Sequence, residues 1–512
     1  KKVLYVGAND GILHAFDANT GQELWGFVPP LLAGNLPTMI NTDLNTDKEG
    51  GSNAIYGVDG SPVVSNLFIQ SPLSVGGAKE WRTILMAPYG RGGAGFSVLD
   101  VTVPDRPIHY YSIYNDKVNK KVHVINHRAE ISSYDYDSIP SEYDYSKLGQ
   151  TWSSPRIARI PNSGAGDAVL HDDINVAIMG GGYDDTDEAT GSNLTIVNLD
   201  NLGKINKVIP LNNITNNNIT NSAPNTPLVL TPDTVGDGGI YRGALVYLND
   251  LEGKITKINL TDMRETKAGL RTELYDSTTI FETLSTSTNG RYMFHSMDTA
   301  IGTTSKNLWL YAGTGDYERV TYKSRNVDNL LLGFRDKDFP YYEKVNAIYA
   351  PFSLMACQDT SNDSMGNRCP LDTNDTAFIR GVGSVKKDVG WYIKLERSQK
   401  VVAEPTITRG VAYFPIYEPT TSLNQCDAGK AFVCAVDDEC GTNYSRRLGT
   451  NDAENRNQRC LYVGDGVLSK LVVFGNKLFA NIAGQSTQDK TDLVQLDSIQ
   501  EDVETIRSSW RP

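Results

Sequence analysis

Apolar residues in this chain come in short runs, and almost every run ends at a cluster of Gly, Asn, Asp or Pro. No strong 3.6-residue period stands out, while alternation with period two is frequent, so the pattern predicts strands, not helices. Val3–Trp25, VLYVGANDGILHAFDANTGQELW, is the fullest example: an apolar strand, an Asn-Asp-Gly turn, a second alternating strand ending in Asp, then a Thr-Gly turn. Asn and Gly tolerate the positive φ of a tight turn, so this segment reads as a hairpin.

The same unit returns in modified form along the chain, at Thr83–Thr102, Asn175–Asp200, Ala244–Leu260, Leu308–Asp336, Gly410–Gly441 and Leu471–Asp497. Shorter segments that carry a Pro at their start, Asp59–Phe68, Thr151–Ile160 and Ala403–Gly410, each precede such a hairpin, as a further strand of the same sheet does. Radial repetition of small sheets leaves only short, protected edges. The expected fold is therefore all-β: a modified β-propeller of about seven irregular blades, forming a single domain over residues 1–512. The repeat spacing, about 45 to about 90 residues, exceeds the roughly 40–50 of well-kept propeller repeats. Polar, Asn/Asp/Ser-rich insertions account for the excess: Pro29–Ser52, Asp116–Leu148, Lys204–Asp233 and Cys357–Asp375 are all predicted as loops.

Composition narrows the function. A net charge of −13 argues against a nucleic-acid partner, which needs a cationic face, and suits divalent cations. No stretch approaches the roughly 20 apolar residues of a membrane span. Because Lys1 and Lys2 lead directly into a strand, the sequence is expected to be a fragment of a longer exported protein whose signal and amino-terminal domain lie upstream. The six cysteines, Cys357, Cys369, Cys426, Cys434, Cys440 and Cys460, sit in polar loops of the last third, without CxxC spacing or a nearby histidine. They read as disulfides of an oxidising compartment in preference to a zinc site. Cys357 and Cys369 bracket a short loop and are expected to pair; the connectivity of the other four is open.

The repeat DG-x-L-H-A-x-D-x-x-T-G-x-E-L-W resembles that of quinoprotein propellers. The chain as a whole resembles something narrower, the carboxyl-terminal domain of the PilC/PilY family of type IV pilus biogenesis factors, in the neisserial PilC manner. VLYVGANDGILHAFDANTGQELWGFVPP, YGVDGSPVVSN, RGGAGFSVLDVT, LGQTWSSPRIARI, IMGGGYDD with GSNLTIVNLD, GALVYLNDLEGKITKINL and the ending RSSWRP carry that resemblance, in order and over nearly the whole chain. It implies a non-enzymatic protein of the outer membrane, periplasm and pilus tip, which promotes pilus assembly, opposes retraction and in some species mediates adhesion to host cells. Pilus subunits and minor pilins, and a host-cell surface receptor, are the partners it implies, and calcium is the ion.

For calcium, alternating oxygen side chains along a tight loop can all point inward. Asp43, Asn45 and Asp47 open such a loop in the EF-hand manner, but Ala54 stands where a closing Glu belongs. The family pattern places its site just before the hairpin YLNDLEGKITKINL. There Asp233, Asp237 and Gly238 fit, whereas Val235 and Tyr241 lack the expected oxygens; a turn capped by two aspartates is the plainer alternative. Asp184, Asp185, Asp187 and Glu188 carry charge without alternation and read as a rim loop. His14 reads as a packed strand residue, and His123 with His127 as a chance pair on one strand face. The tyrosines of Ser132–Lys147 suit either a protein-binding surface or simple ordering of a loop.

Two rival functions remain. A quinone- or calcium-dependent oxidoreductase needs a tryptophan floor, a catalytic aspartate and often a vicinal disulfide. The sequence has no adjacent cysteines and keeps the repeat tryptophan only at Trp25. A host-cell adhesin would act through the rim loops.

Overall fold

Seven antiparallel sheets build the molecule in a computed structural model, and they follow one another in chain order. It describes residues 1–37, 56–72, 78–162, 173–186, 189–211, 221–231, 243–261, 273–285, 290–302, 305–323, 327–344, 376–380, 388–396, 398–420, 428–441, 460–483 and 493–497. These group into two compact units, Lys1–Phe281 with Pro340–Asn346, and Glu282–Phe339 with Ala347–Pro512.

In the first unit, sheet 1 has the strands Val3–Gly7, Leu13–Asp17 and Glu23–Phe27. Its first two pair in the register the turn dictates, Val3 opposite Asp17 and Gly7 opposite Leu13. Sheet 2 begins with Val63–Gln70, Lys79–Pro88, Gly95–Asp100 and Ile108–Asp116, and continues outward through Lys121–Asn126 and Ile131–Asp135. Sheet 3 runs from Arg156–Pro161 through Asp173–Gly180 and Asn193–Asn198 to Lys204–Pro210. Sheet 4 comprises Leu228–Leu230, Ala244–Asn249, Lys254–Leu260 and Ser277–Glu282. In the second unit, sheet 5 opens at Asp298–Ile301, sheet 6 is centred on Val411–Glu418 and Lys430–Asp437, and sheet 7 on Lys477–Ala483.

Within each unit the inward residues of neighbouring sheets pack on one another. Phe96, Val98 and Tyr111 of sheet 2 meet Ala177, Met179 and Val197 of sheet 3 in one cluster. Val176, Ile178 and Ile196 of sheet 3 then meet Val246, Ile258 and Leu260 of sheet 4. In the second unit Trp309 and Tyr311 of sheet 5 pack with Ala412 and Phe414 of sheet 6. Burying a side chain of this size contributes roughly 1.5–3 kcal/mol, so these interfaces dominate the stability. The architecture is the all-β, seven-bladed propeller expected. Among the described residues no helix is long and apolar enough to cross a membrane.

Two insertions predicted as loops are in fact partly strand. Asp116–Leu148 holds the outer hairpin of sheet 2 and a 3₁₀ turn at Ser141–Tyr143, and Lys204–Asp233 supplies the last strand of sheet 3. The reason lies in the alternation of KVHVIN: Val122 and Val124 are buried with the polar His123 between them, so the overall polarity of the insertion hid a strand. The third predicted loop, Pro29–Ser52, opens with a 3₁₀ turn at Pro30–Asn35.

Candidate functional site

Where the strands of sheets 1 to 3 end, glycine-rich turns bring four planar side chains into one stack within the first unit. Tyr89 follows its strand and meets Thr151, whose Oγ accepts from Tyr89 N at 3.0 Å and donates to the Gly95 carbonyl at 2.6 Å. The next residue, Gly90, has φ +61° and donates to the Thr151 carbonyl at 3.1 Å; a Cβ there would sit 2.5 Å from Gly60 N. Only glycine satisfies both demands without strain, and the turn it permits projects Arg91 outward.

The Arg91 guanidinium lies 4.4 Å from the ring centroid of Trp152 and 5.2 Å from that of Tyr56. Its Nη1 donates to the Tyr56 hydroxyl at 3.3 Å, and the Arg91 backbone N–H donates to Asp59 Oδ2 at 3.4 Å. On its other side Trp152 stacks on Tyr183, with centroids 4.5 Å apart and planes 22° from parallel. Trp152 Nε1 donates to Gln150 Oε1 at 3.1 Å. Gln150 and Tyr183 exchange both backbone hydrogen bonds, at 2.8 and 2.9 Å, which fixes the two segments side by side. Beyond Tyr183, Asp184 takes an ion pair from Lys117 and a hydrogen bond from the Thr186 hydroxyl.

Each cation–π contact of this kind contributes about 0.5–2 kcal/mol, more as water is excluded. Trp, Tyr and Arg are also the side chains that concentrate binding energy at protein interfaces. Tyr56, 45% exposed, opens the stack to solvent. The arrangement suits recognition of another molecule, and the stack itself brings no nucleophile beside a base. The sequence pointed to none of the four residues as a site. Each lies beside a turn, in YGVDG, YGRGG, QTWSSP and GGYDD, which is the one signal that could have found them.

The calcium candidates Asp43, Asn45 and Asp47, and Asp233 and Asp237, lie outside the described residues, as do Asp187, Glu188, Cys357, Cys369 and Cys426. Cys434 and Cys460 face each other across adjacent antiparallel strands of sheet 6 and form a disulfide, and Cys440 is disulfide-bonded as well. His14 is held by two carboxylates, Glu23 at 2.7 Å and Asp10 at 3.0 Å, and the hydrogen bond to Glu23 raises its pKa. His123 bonds Ser133 at 2.8 Å, whereas His127 lies beyond the end of that strand, so the two imidazoles do not share a face. Most tyrosines of Ser132–Lys147 pack down: Tyr145 is buried and donates to the Gly203 carbonyl, and Tyr134 stacks on Tyr143. Trp25 packs in the core with Tyr5 and donates to the Pro104 carbonyl at 2.8 Å, a structural role.

This fold, with a stack of aromatic rings and a guanidinium on its turns, defines the β-propeller class. The chain is similar to a PilY1 homologue of Xylella fastidiosa, a type IV pilus biogenesis factor, at 25% identity over 86% of this chain and 26% of that protein. A Pseudomonas aeruginosa PilY1 is 31% identical over 36% of this chain and 12% of its own length. The crystal structure of the Pseudomonas aeruginosa PilY1 C-terminal domain superimposes with a TM-score of 0.56 at 18% identity, covering 97% of this chain and 92% of that one. The model of the PilY1 β-propeller domain matches residues 1–306, and the chain belongs to that family. It spans about a quarter or less of the length of these curated relatives.

Proposed function

We propose that this chain is the propeller of an exported type IV pilus biogenesis factor, which promotes pilus assembly and opposes retraction by binding pilus subunits and minor pilins, without catalysis. Membership of the PilY1 propeller family carries this reading. The Arg91–Trp152–Tyr183 stack supports a binding role, and the Cys434–Cys460 disulfide supports export to an oxidising compartment. Calcium acts in this proposal as a conformational control through the loops of Asp43, Asn45 and Asp47 or of Asp233 and Asp237. A bound cation shifts a population only if the two states bind it differently.

The test deletes the gene of the full-length protein and counts surface pili. Deletion is expected to remove most of them, the wild-type gene to restore them, and Arg91→Ala with Trp152→Ala to fail while reaching wild-type protein levels. Undiminished piliation in the deletion strain would falsify the proposal. Calcium titration of the full-length protein beside Asp43→Ala, Asp47→Ala and Asp237→Ala checks the ion: one variant should weaken binding about tenfold or more, since each carboxylate lost removes a charged ligand. Equal binding by all three removes calcium from these loops.

A further inference from the structure

The outermost strand of sheet 2, Ile131–Asp135, ends the sheet with an open edge. It pairs with Lys121–Asn126 on one side, and among the described residues no strand pairs with it on the other. The phase of that pairing is fixed by two bonds: Tyr136 N donates to the Lys120 carbonyl, and Asn126 N to the Glu130 carbonyl, both at 3.1 Å. Antiparallel pairs alternate between bonded and non-bonded. Positions 132 and 134 therefore bond inward, and Ile131, Ser133 and Asp135 turn their N–H groups outward, together with the carbonyls of Ile131 and Ser133; the Asp135 carbonyl accepts from Ser138 N at 3.0 Å. The His123–Ser133 side-chain bond, at 2.8 Å, agrees, since side chains approach most closely at non-bonded pairs.

Natural sheets blunt such an edge with proline, lysine, a bulge or a covering segment. ISSYD has none of the first two, its register with the neighbouring strand is unbroken, and Ile131 is 64% exposed. The strand also adds little to the core, where Tyr134 alone of its residues packs. An apolar residue beside three outward donors and two outward acceptors at alternate positions matches one kind of occupant, an extended backbone with an apolar side chain to set against Ile131.

We propose that this edge is a docking site for an extended strand of a partner protein, which joins sheet 2 as a seventh strand. The partner class, a pilus subunit, rests on the function proposed above; the edge geometry does not. Ser133→Pro is the informative substitution. It removes an outward donor and places a ring in the partner's path, while every backbone bond to Lys121–Asn126 stays and only the side-chain bond to His123 is lost. Ser133→Ala loses the same side-chain bond to His123 but keeps the backbone donor, and serves as its control.

Binding of purified major and minor pilin ectodomains to the full-length protein would be measured for wild type and both variants, with hydrogen exchange of the amides of Ile131, Ser133 and Asp135. We expect at least one pilin to bind, those three amides to become protected, and Ser133→Pro to weaken binding about tenfold or more with Ser133→Ala unchanged. Equal binding by Ser133→Pro, or no binding of any pilin, overturns the proposal. So does concentration-dependent self-association that Ser133→Pro abolishes, because the edge then takes a second copy. Piliation separates the two readings: full restoration by Ser133→Pro sinks the docking edge and leaves the pilus function standing.

Discussion

The central hairpin of sheet 4 and the outer hairpin of sheet 2 are made by the same device, two antiparallel strands and a tight turn, yet they meet opposite demands. Every residue of Ala244–Asn249 and Lys254–Leu260 is buried, including Lys254 and Lys257. Four of the five residues of Ile131–Asp135 are exposed. In the first, polar groups must find partners inside the protein, because an unmet buried charge is costly. Lys254 accordingly lies between Glu252 and Asp250 in the turn, and Lys257 donates to the Tyr341 carbonyl at 2.7 Å. In the second, water meets the open backbone groups, and the strand can leave them for a partner. The difference teaches that in this fold distance from the core, not hairpin chemistry, decides whether a strand is structural or available.

The largest expected effect comes from breaking the buried side of that contrast. Lys254→Ala removes the ammonium shared by Asp250 and Glu252, and removing one partner of a buried ion pair costs about 3–5 kcal/mol. Urea unfolding followed by tryptophan fluorescence should show it. Lys254→Met combined with Asp250→Asn and Glu252→Gln should recover most of the loss, because the uncompensated charge is gone. A loss below about 1 kcal/mol for Lys254→Ala would mean that the turn is hydrated and the contrast false.

A smaller effect follows from pH. Burial, the leading cause, pushes the pKa of Asp250 from 3.8 up to about 6, against the pull of Lys254. The folded state therefore favours the protonated carboxyl. This contribution is fully present below about pH 4 and is lost as pH rises through about 6, amounting to at most about 3 kcal/mol at about 1.4 kcal/mol per unit. Asp250→Asn should flatten the stability profile between those values. A profile unchanged by Asp250→Asn would place the titration elsewhere.

Tyr134 joins the two regimes, and its removal should cost less again. It stacks on Tyr143 with centroids 5.8 Å apart and packs against the sheet 2 core. Tyr134→Ala is expected to lower stability by about 1–2 kcal/mol in the same urea experiment. A loss near that of Lys254→Ala would make the outer hairpin part of the core.

This contrast was only half visible in the sequence. Turn chemistry such as Asn-Asp-Gly at Asn9–Gly11 and the period-two runs beside it located a hairpin in each of the seven sheets. Burial was harder, since lysine is a residue type rarely buried in full and nothing local to Lys254 or Lys257 marks them as covered. The outer hairpin was hidden for the opposite reason, its polar composition masking the alternation of Val122 and Val124. The stack was hidden too. Tyr56, Arg91, Trp152 and Tyr183 come from four separate segments, and nothing local to any one of them encodes the register that brings them together.

The smallest effect probes the exposed side itself. Ile131 is 64% exposed, so replacing it removes little buried apolar area, and Ile131→Lys should change stability by no more than about 0.5 kcal/mol. The direction should be slightly downward, because lysine fits a pleated strand less well than a β-branched residue. A lysine is also one of the devices that blunt a sheet edge, so the same variant should weaken pilin binding by the full-length protein. Near-wild-type unfolding together with weakened binding is the signature of a strand kept for a partner. A loss above about 1 kcal/mol would instead mean that Ile131 is covered in solution, and the opposition between the two hairpins would collapse from its outer end.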